Sequence, residues 1–170
     1  MTRAFIAFGS NIHAERNVRS AVRLLADRSN LLALSTFYRT APAGGATGAA
    51  FINGMAEIET ELPPLELKHR VLRGIERELG RVRFTDKNAA RTIDLDLVHY
   101  DDLVVASLEL ALPAPEIRER WFVAAPLAEL APDLRLAGSG VPVRELAARL
   151  LRSGEALPAL TAELRRIARE

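Results

Sequence analysis

Apolar and polar positions follow two periods along this chain, and their order predicts its elements. Ala4 to Phe8 is a short apolar run closed by Gly9-Ser10-Asn11, which reads as a buried strand and a turn. Val18, Ala21, Val22 and Leu25 recur at helical spacing and predict an amphipathic helix over 14–28. Leu32, Leu34 and Thr36 alternate with other residues toward Phe37-Tyr38-Arg39-Thr40, a second strand. Pro42 to Gly48 is rich in small residues and reads as a mobile loop without core content. Phe51 to Glu59 reads as a third strand, with Phe51, Asn53, Met55, Glu57 and Glu59 on one face. Ile52, Ala56 and Ile58 take the other.

Pro63 and Pro64 open a second helix whose core stripe is Val71, Leu72, Ile75 and Leu79 and whose end is Gly80. Residues 81–90 form a polar, basic loop, and Thr92 to His99 a fourth strand. Asp101-Asp102 reads as a tight turn into Leu103-Val104-Val105, expected to pair as a hairpin. The order β-α-β-β-α-β predicts an α+β fold with a ferredoxin-like core, an antiparallel sheet with both helices on one face. The remainder predicts helices. Pro115 opens a short one, and Trp121 to Leu130 is another, interrupted at Pro126. Val143, Leu146, Ala147 and Leu150 mark a third, and Leu160, Leu164 and Ile167 a last one. Covering the other sheet face, they would complete a three-layer α/β/α sandwich. No linker divides the chain. Residues 1–170 are therefore read as one domain, with 137–170 as a helical C-terminal extension.

Composition narrows the classes of function. An apolar fraction of 49% beside 26% charged residues is that of a globular chain. The net charge of +1 gives no global pull toward nucleic acid or membrane, so any basic site is local. Cysteine is absent, which excludes disulfides, a thiol nucleophile and thiolate metal ligands. No apolar run approaches the roughly 18 residues of a membrane span, and the stretch after Arg3 has no cleavage-site pattern. A cytoplasmic protein that binds small molecules, and neither nucleic acid nor membrane, is expected.

The chemistry concentrates in Arg91-Thr92-Ile93-Asp94-Leu95-Asp96-Leu97. On a strand, Ile93, Leu95 and Leu97 face one way, and Asp94 and Asp96 the other, side by side. Two carboxylates that close repel unless a cation or water separates them. Magnesium is held by one or two carboxylates together with substrate phosphates. On spacing alone, the solvated face of an amphipathic strand reads equally well. Context favours the metal: Arg81, Arg83, Lys87 and Arg91 precede the pair, opposed only by Asp86. Anionic phosphates need that combination of cation and guanidinium forks. Gly9 lets backbone approach a ligand, or serves a plain turn with Asn11 at the helix start. Phe51, Asn53 and Phe122 offer two rings and an amide for a flat heterocycle, although either ring alone reads more readily as core. His13, His69 and His99 lack metal-ligand spacing.

In order, Gly9-Ser10-Asn11, Phe37-Tyr38-Arg39-Thr40, Phe51-Ile52-Asn53, Gly80-Arg81-Val82-Arg83, the Arg91 to Leu97 segment, Arg120, Phe122, Pro126-Leu127 and Ala131-Pro132-Asp133 resemble one family. It is 6-hydroxymethyl-7,8-dihydropterin pyrophosphokinase, of folate biosynthesis. The resemblance runs over about Ala4 to Leu134, and the acidic segment is its most specific part. It implies transfer of diphosphate from the co-substrate ATP to the pterin hydroxymethyl group, with release of AMP. It also implies two magnesium ions on Asp94 and Asp96, and Arg81 and Arg91 clamping the phosphates. Phe51 and Phe122 would sandwich the pterin, with Gly9, Asn53 and the backbone of Thr40, Ala41 and Pro42 around its edge. Glu76, Arg83, Lys87, Leu97 and Arg120 would take the nucleotide. The loops around 44–50 and 81–90 would be mobile catalytic loops, and the protein a monomer. The sequence departs from the family pattern at Ala41, Asn88, Ala89-Ala90 and Ala114, the last where a histidine is usual. Two further readings follow: a paralogue that takes a modified pterin or binds pterin with weak turnover, and a ferredoxin-like regulatory or RNA-binding module. The second has no use for the aspartate pair.

Overall fold

The register of three strands decides where a site can form. In the computed structural model, which describes residues 1–42 and 48–170, β1 (Thr2–Ser10) runs antiparallel between β4 (Phe51–Thr60) and β5 (Asp94–Tyr100). The far edge of β4 carries β2 (Asn30–Leu34) and β3 (Tyr38–Thr40). This is the ferredoxin-like order. The second predicted strand is split in two, because Phe37 turns inward between its halves and is fully buried. Most of the loop expected to be mobile, residues 43–47, lies outside the described residues.

The alternation of apolar residues builds a core on each face. Ala4, Ile6 and Phe8 of β1 point with Ile52, Ala56 and Ile58 toward α1 (Ala14–Arg28) and α2 (residues 64–78). Phe5, Met55 and Val98 point to the opposite face. There they meet α3 (Glu116–Glu119), α4 (Trp121–Leu130) and α5 (Val143–Arg149) through Ile117, Val123, Leu127 and Val143. Each fully buried aliphatic or aromatic side chain contributes about 1.5–3 kcal/mol, so the faces of the sheet are what hold the layers. Pro126 does not interrupt α4. It is buried inside a continuous helix, at the loss of one backbone hydrogen bond.

Three expectations are corrected. First, α2 is not uniform: Pro64–Glu66 and Arg73–Glu78 are α-helical, but Leu67–Leu72 is wound as a π-helix, with Arg73 N–H donating to Lys68 O. Second, Leu103-Val104-Val105 does not pair back on β5. Instead β6 (Val105–Ala106) pairs with β7 (Ala111–Leu112) in a separate ribbon. Leu103 and Val104 are exposed, whereas Leu110 and Leu112 are buried, so burial rewards the ribbon. The outer edge of β5 is met by other partners: Ala114 N–H donates to Val98 O (2.8 Å), and Leu95 N–H donates to Glu76 Oε1 (2.9 Å). Third, the C-terminal part is not all helix on the second face. β8 (Gly154–Ala156) adds a strand beside β3, and α6 (Pro158–Ile167) packs with α1 on the first face through Leu160 and Leu164. Among the described residues, no helix is long and apolar enough to cross a membrane.

Candidate active site

Asn53, Gly9 and Asp94 lie side by side across β4, β1 and β5. One row therefore joins the amide to the first carboxylate, and Asp96 lies two residues further along β5. A side chain at Gly9 would place its Cβ 3.2 Å from Asn53 Oδ1, tighter than ordinary packing, so the glycine keeps the row open. Asn53 is buried and donates through Nδ2 to Thr40 Oγ1 on β3 (2.7 Å). That bond holds the amide's orientation.

These residues open on a cavity of about 500 Å³. Of the residues singled out from sequence, Gly9, Thr40, Ala41, Phe51, Asn53, Arg83, Lys87, Arg91, Asp94, Asp96, Leu97, Arg120 and Phe122 line it. Pro42, Glu76 and Arg81 do not. Glu76 is 2% exposed; its carboxylate accepts from Leu95 N–H and from Arg83 Nη2 (2.5 Å). It acts as a brace tying the basic loop to β5, not as a wall of the cavity. Burial first, and then the charge of Asp94, raises its pKa, against the bonds from Leu95 and Arg83.

Arg91 is held from several sides. Its Nη1 donates to Asp94 Oδ2 (2.8 Å), its Nη2 to Lys87 O (2.5 Å), and its guanidinium lies 5.5 Å from the Phe51 ring centre. Asn11 does not cap α1. Its Oδ1 accepts from Arg91 N–H (2.8 Å), while its own N–H donates to Arg91 O (3.1 Å). The turn after β1 thus fixes the arginine that precedes the acidic segment. Arg81 Nε is buried without a partner among the described residues, and burial lowers the arginine's pKa. An anion there would satisfy it.

Asp96 has no hydrogen-bond or ion-pair partner among the described residues. Enclosure in the cleft, then the charges of Asp94, Glu76 and Glu116, push its pKa up to about 7. Water in the cleft still reaches the side chain. The crowding of negative charge is therefore the part of the effect that a cation would reverse. No group of three or more His, Cys, Asp or Glu side chains forms a metal cage among the described residues. Two carboxylates in a cavity rimmed by arginines suit an ion such as magnesium, which takes its remaining ligands from water and phosphate.

The structure also brings in residues that the sequence reading left out. Lys68, Arg73, Glu109 and Glu116 line the cavity. Lys68 and Arg73 are five apart, which in an α-helix separates them by about 140°. The π-wound turns bring both to one face. Nothing in a hydrophobic stripe announces such a turn. Ala114, at a position where the family pattern has histidine, also lines the cavity, and Asn88 is exposed on the basic loop.

Known proteins share the sequence family and the fold. The family model for 7,8-dihydro-6-hydroxymethylpterin-pyrophosphokinase (HPPK) matches residues 5–132. The chain is 37% identical over 144 residues to the 2-amino-4-hydroxy-6-hydroxymethyldihydropteridine pyrophosphokinase of Haemophilus influenzae, covering 83% of this chain and 89% of that protein. With the enzyme of the same name from Methylorubrum extorquens it is 41% identical over 157 residues, covering 91% and 97%. A crystal structure of Plasmodium falciparum HPPK-DHPS, the A437G variant, is similar in fold: TM-score 0.70 at 12% identity, over 87% of this chain and 45% of that one.

Proposed function

The chain belongs to the 7,8-dihydro-6-hydroxymethylpterin-pyrophosphokinase family, and we propose that it transfers diphosphate from ATP to the hydroxymethyl group of 6-hydroxymethyl-7,8-dihydropterin, releasing AMP. The observation that carries this reading is the row Asn53–Gly9–Asp94, which sets an amide suited to a heterocycle edge beside a carboxylate pair suited to a metal–triphosphate. Residues 1–170 are read as a single pyrophosphokinase domain, with residues 137–170 included.

Phe51 and Phe122 would hold the pterin between their rings. Asn53 would read its edge, with Thr40 setting the amide's orientation and the backbone of Ala41 and Pro42 alongside. Asp94 and Asp96 would hold two magnesium ions. An ion held there would supply positive charge against that of the phosphates. The hydroxyl oxygen of the pterin forms a bond to the β-phosphorus while the bond from that phosphorus to the α-phosphate oxygen breaks. The hydroxyl proton leaves toward Asp96, and AMP takes the bonding electrons. Arg91, whose fork lies on Asp94, would turn it to the phosphates, and Arg81 would find there the acceptor its Nε lacks. Arg83, Lys87, Leu97 and Arg120, which line the cavity, would take the nucleotide, and Glu76 steadies Arg83.

The test is AMP release from purified protein with ATP, magnesium and 6-hydroxymethyl-7,8-dihydropterin. Pterin-dependent AMP is expected, and Asp96→Ala should reduce it by about a thousandfold or more while leaving the fold intact. A near-normal rate in that variant would remove the metal assignment.

A further inference from the structure

The family model ends at Pro132, yet β8 and α6 lie against the part of the sheet that carries Thr40. Phe37, fully buried just before β3, has both backbone groups tied to this segment: its N–H donates to Thr161 Oγ1 (2.9 Å), and its carbonyl accepts from Leu157 N–H (2.8 Å). From there β3 is paired on both sides. Tyr38 faces Asn53 on β4 and Ala156 on β8, and Thr40 faces Phe51 and Gly154.

Gly154 sits behind the cavity lining, between β3 and the start of α4. A Cβ at this position would lie 2.9 Å from the Trp121 ring, 3.2 Å from Thr40 Cγ2 and 3.2 Å from Tyr38 Cβ. Its backbone is not in the left-handed region, so the glycine serves close approach, not a turn. Trp121, the lone tryptophan, stacks edge-on against Tyr38 with centroids 5.0 Å apart, and Arg152 lies 5.5 Å above it. Trp121 immediately precedes Phe122 on α4. The contact through Gly154 therefore links the strand that orients Asn53 to the helix that carries the opposing ring.

We infer that the C-terminal segment 154–161 is a positioning element for the pterin site, with Gly154 and Thr161 setting the spacing between the Thr40–Asn53 wall and Phe122. This rests on the pterin reading proposed above. A purely stabilising role would affect both substrates alike. A positioning role affects the pterin first, since Arg81, Arg83, Arg91 and the aspartates stand on other elements and, of the nucleotide residues proposed, Arg120 alone adjoins Trp121.

The test compares the full-length wild type with Gly154→Ala, Thr161→Val and Thr161→Ser, all assayed well below their melting transitions. Gly154→Ala and Thr161→Val are expected to raise the pterin KM about tenfold while the ATP KM stays within roughly twofold. Thr161→Ser, which keeps the acceptor for Phe37 N–H, should match the wild type. An unchanged pterin KM, or a parallel loss for both substrates, would overturn the inference. So would a Thr161→Val protein that fails to fold, because the contact would then be structural only. If Gly154→Ala alone fails to fold, Thr161→Val decides. A wild type without pterin-dependent AMP would instead remove the underlying functional reading.

Discussion

Asp94 and Asp96 were legible because a strand shows its chemistry every second residue. Gly9 was read as a turn glycine or a point of close approach and Asn53 as an amide beside two rings, and their alignment with Asp94 needed the register of three strands. Lys68 and Arg73 were not legible, since their shared orientation depends on the π-wound turns of α2. Two predictions belong at this scale. The folded protein holds the pKa of Asp96 at about 7, above the ordinary carboxylate value. The native state therefore binds a proton that the unfolded chain has already lost, and stability falls as pH rises through that range. Asp96→Asn should raise the melting temperature of metal-free protein at about pH 8 while abolishing turnover. A melting curve that drops on this substitution would contradict the crowding. Glu76 separates two roles by two variants. Glu76→Ala leaves Leu95 N–H buried without an acceptor and should cost about 1–3 kcal/mol in denaturant unfolding. Glu76→Gln keeps that acceptor, so stability should stay near wild type while the ATP KM rises as Arg83 loosens.

At the scale of elements, period located the core strands and helices, but not the break at Phe37 or the π-wound turns of α2. The failures have common causes. The hairpin after β5 was read from a turn signal, but Leu103 and Val104 gain no burial, and Glu76 and Ala114 satisfy the strand edge instead. β8 is only three residues long and shows no alternation, so its pairing with β3 is set by tertiary contact. Gly54 shows how closely elements approach. A Cβ there would lie 2.6 Å from the Phe37 ring. Gly54→Ala should therefore destabilise by about 1–3 kcal/mol through overpacking, measured by equilibrium unfolding. An unchanged midpoint would mean that Phe37 moves freely, against its place in the core.

For the molecule as a whole, the ferredoxin-like order was legible because it depends only on the sequence of elements. The distribution of the C-terminal elements over both faces was not, because α6 has an apolar stripe that either face could accept. Global stability carries a further mark of burial. His99 is 6% exposed, packs edge-on to Phe5, and has Nδ1 unpartnered among the described residues. Burial lowers its pKa against the pull of Asp102 and Asp101. The unfolded chain then takes up the proton first, so stability is complete above the free histidine pKa of about 6.5 and is lost as pH falls below it. His99→Gln should flatten that decline in melting temperature; an equally steep decline would assign it to other groups.

The central claim is that a diphosphate moves as one unit to a pterin hydroxyl. Phosphorus-31 NMR of a reaction with ATP, magnesium and 6-hydroxymethyl-7,8-dihydropterin tests it most directly. Equimolar AMP and a pterin diphosphate ester are predicted. ADP with a pterin monophosphate, or folded protein that leaves ATP intact, would contradict it.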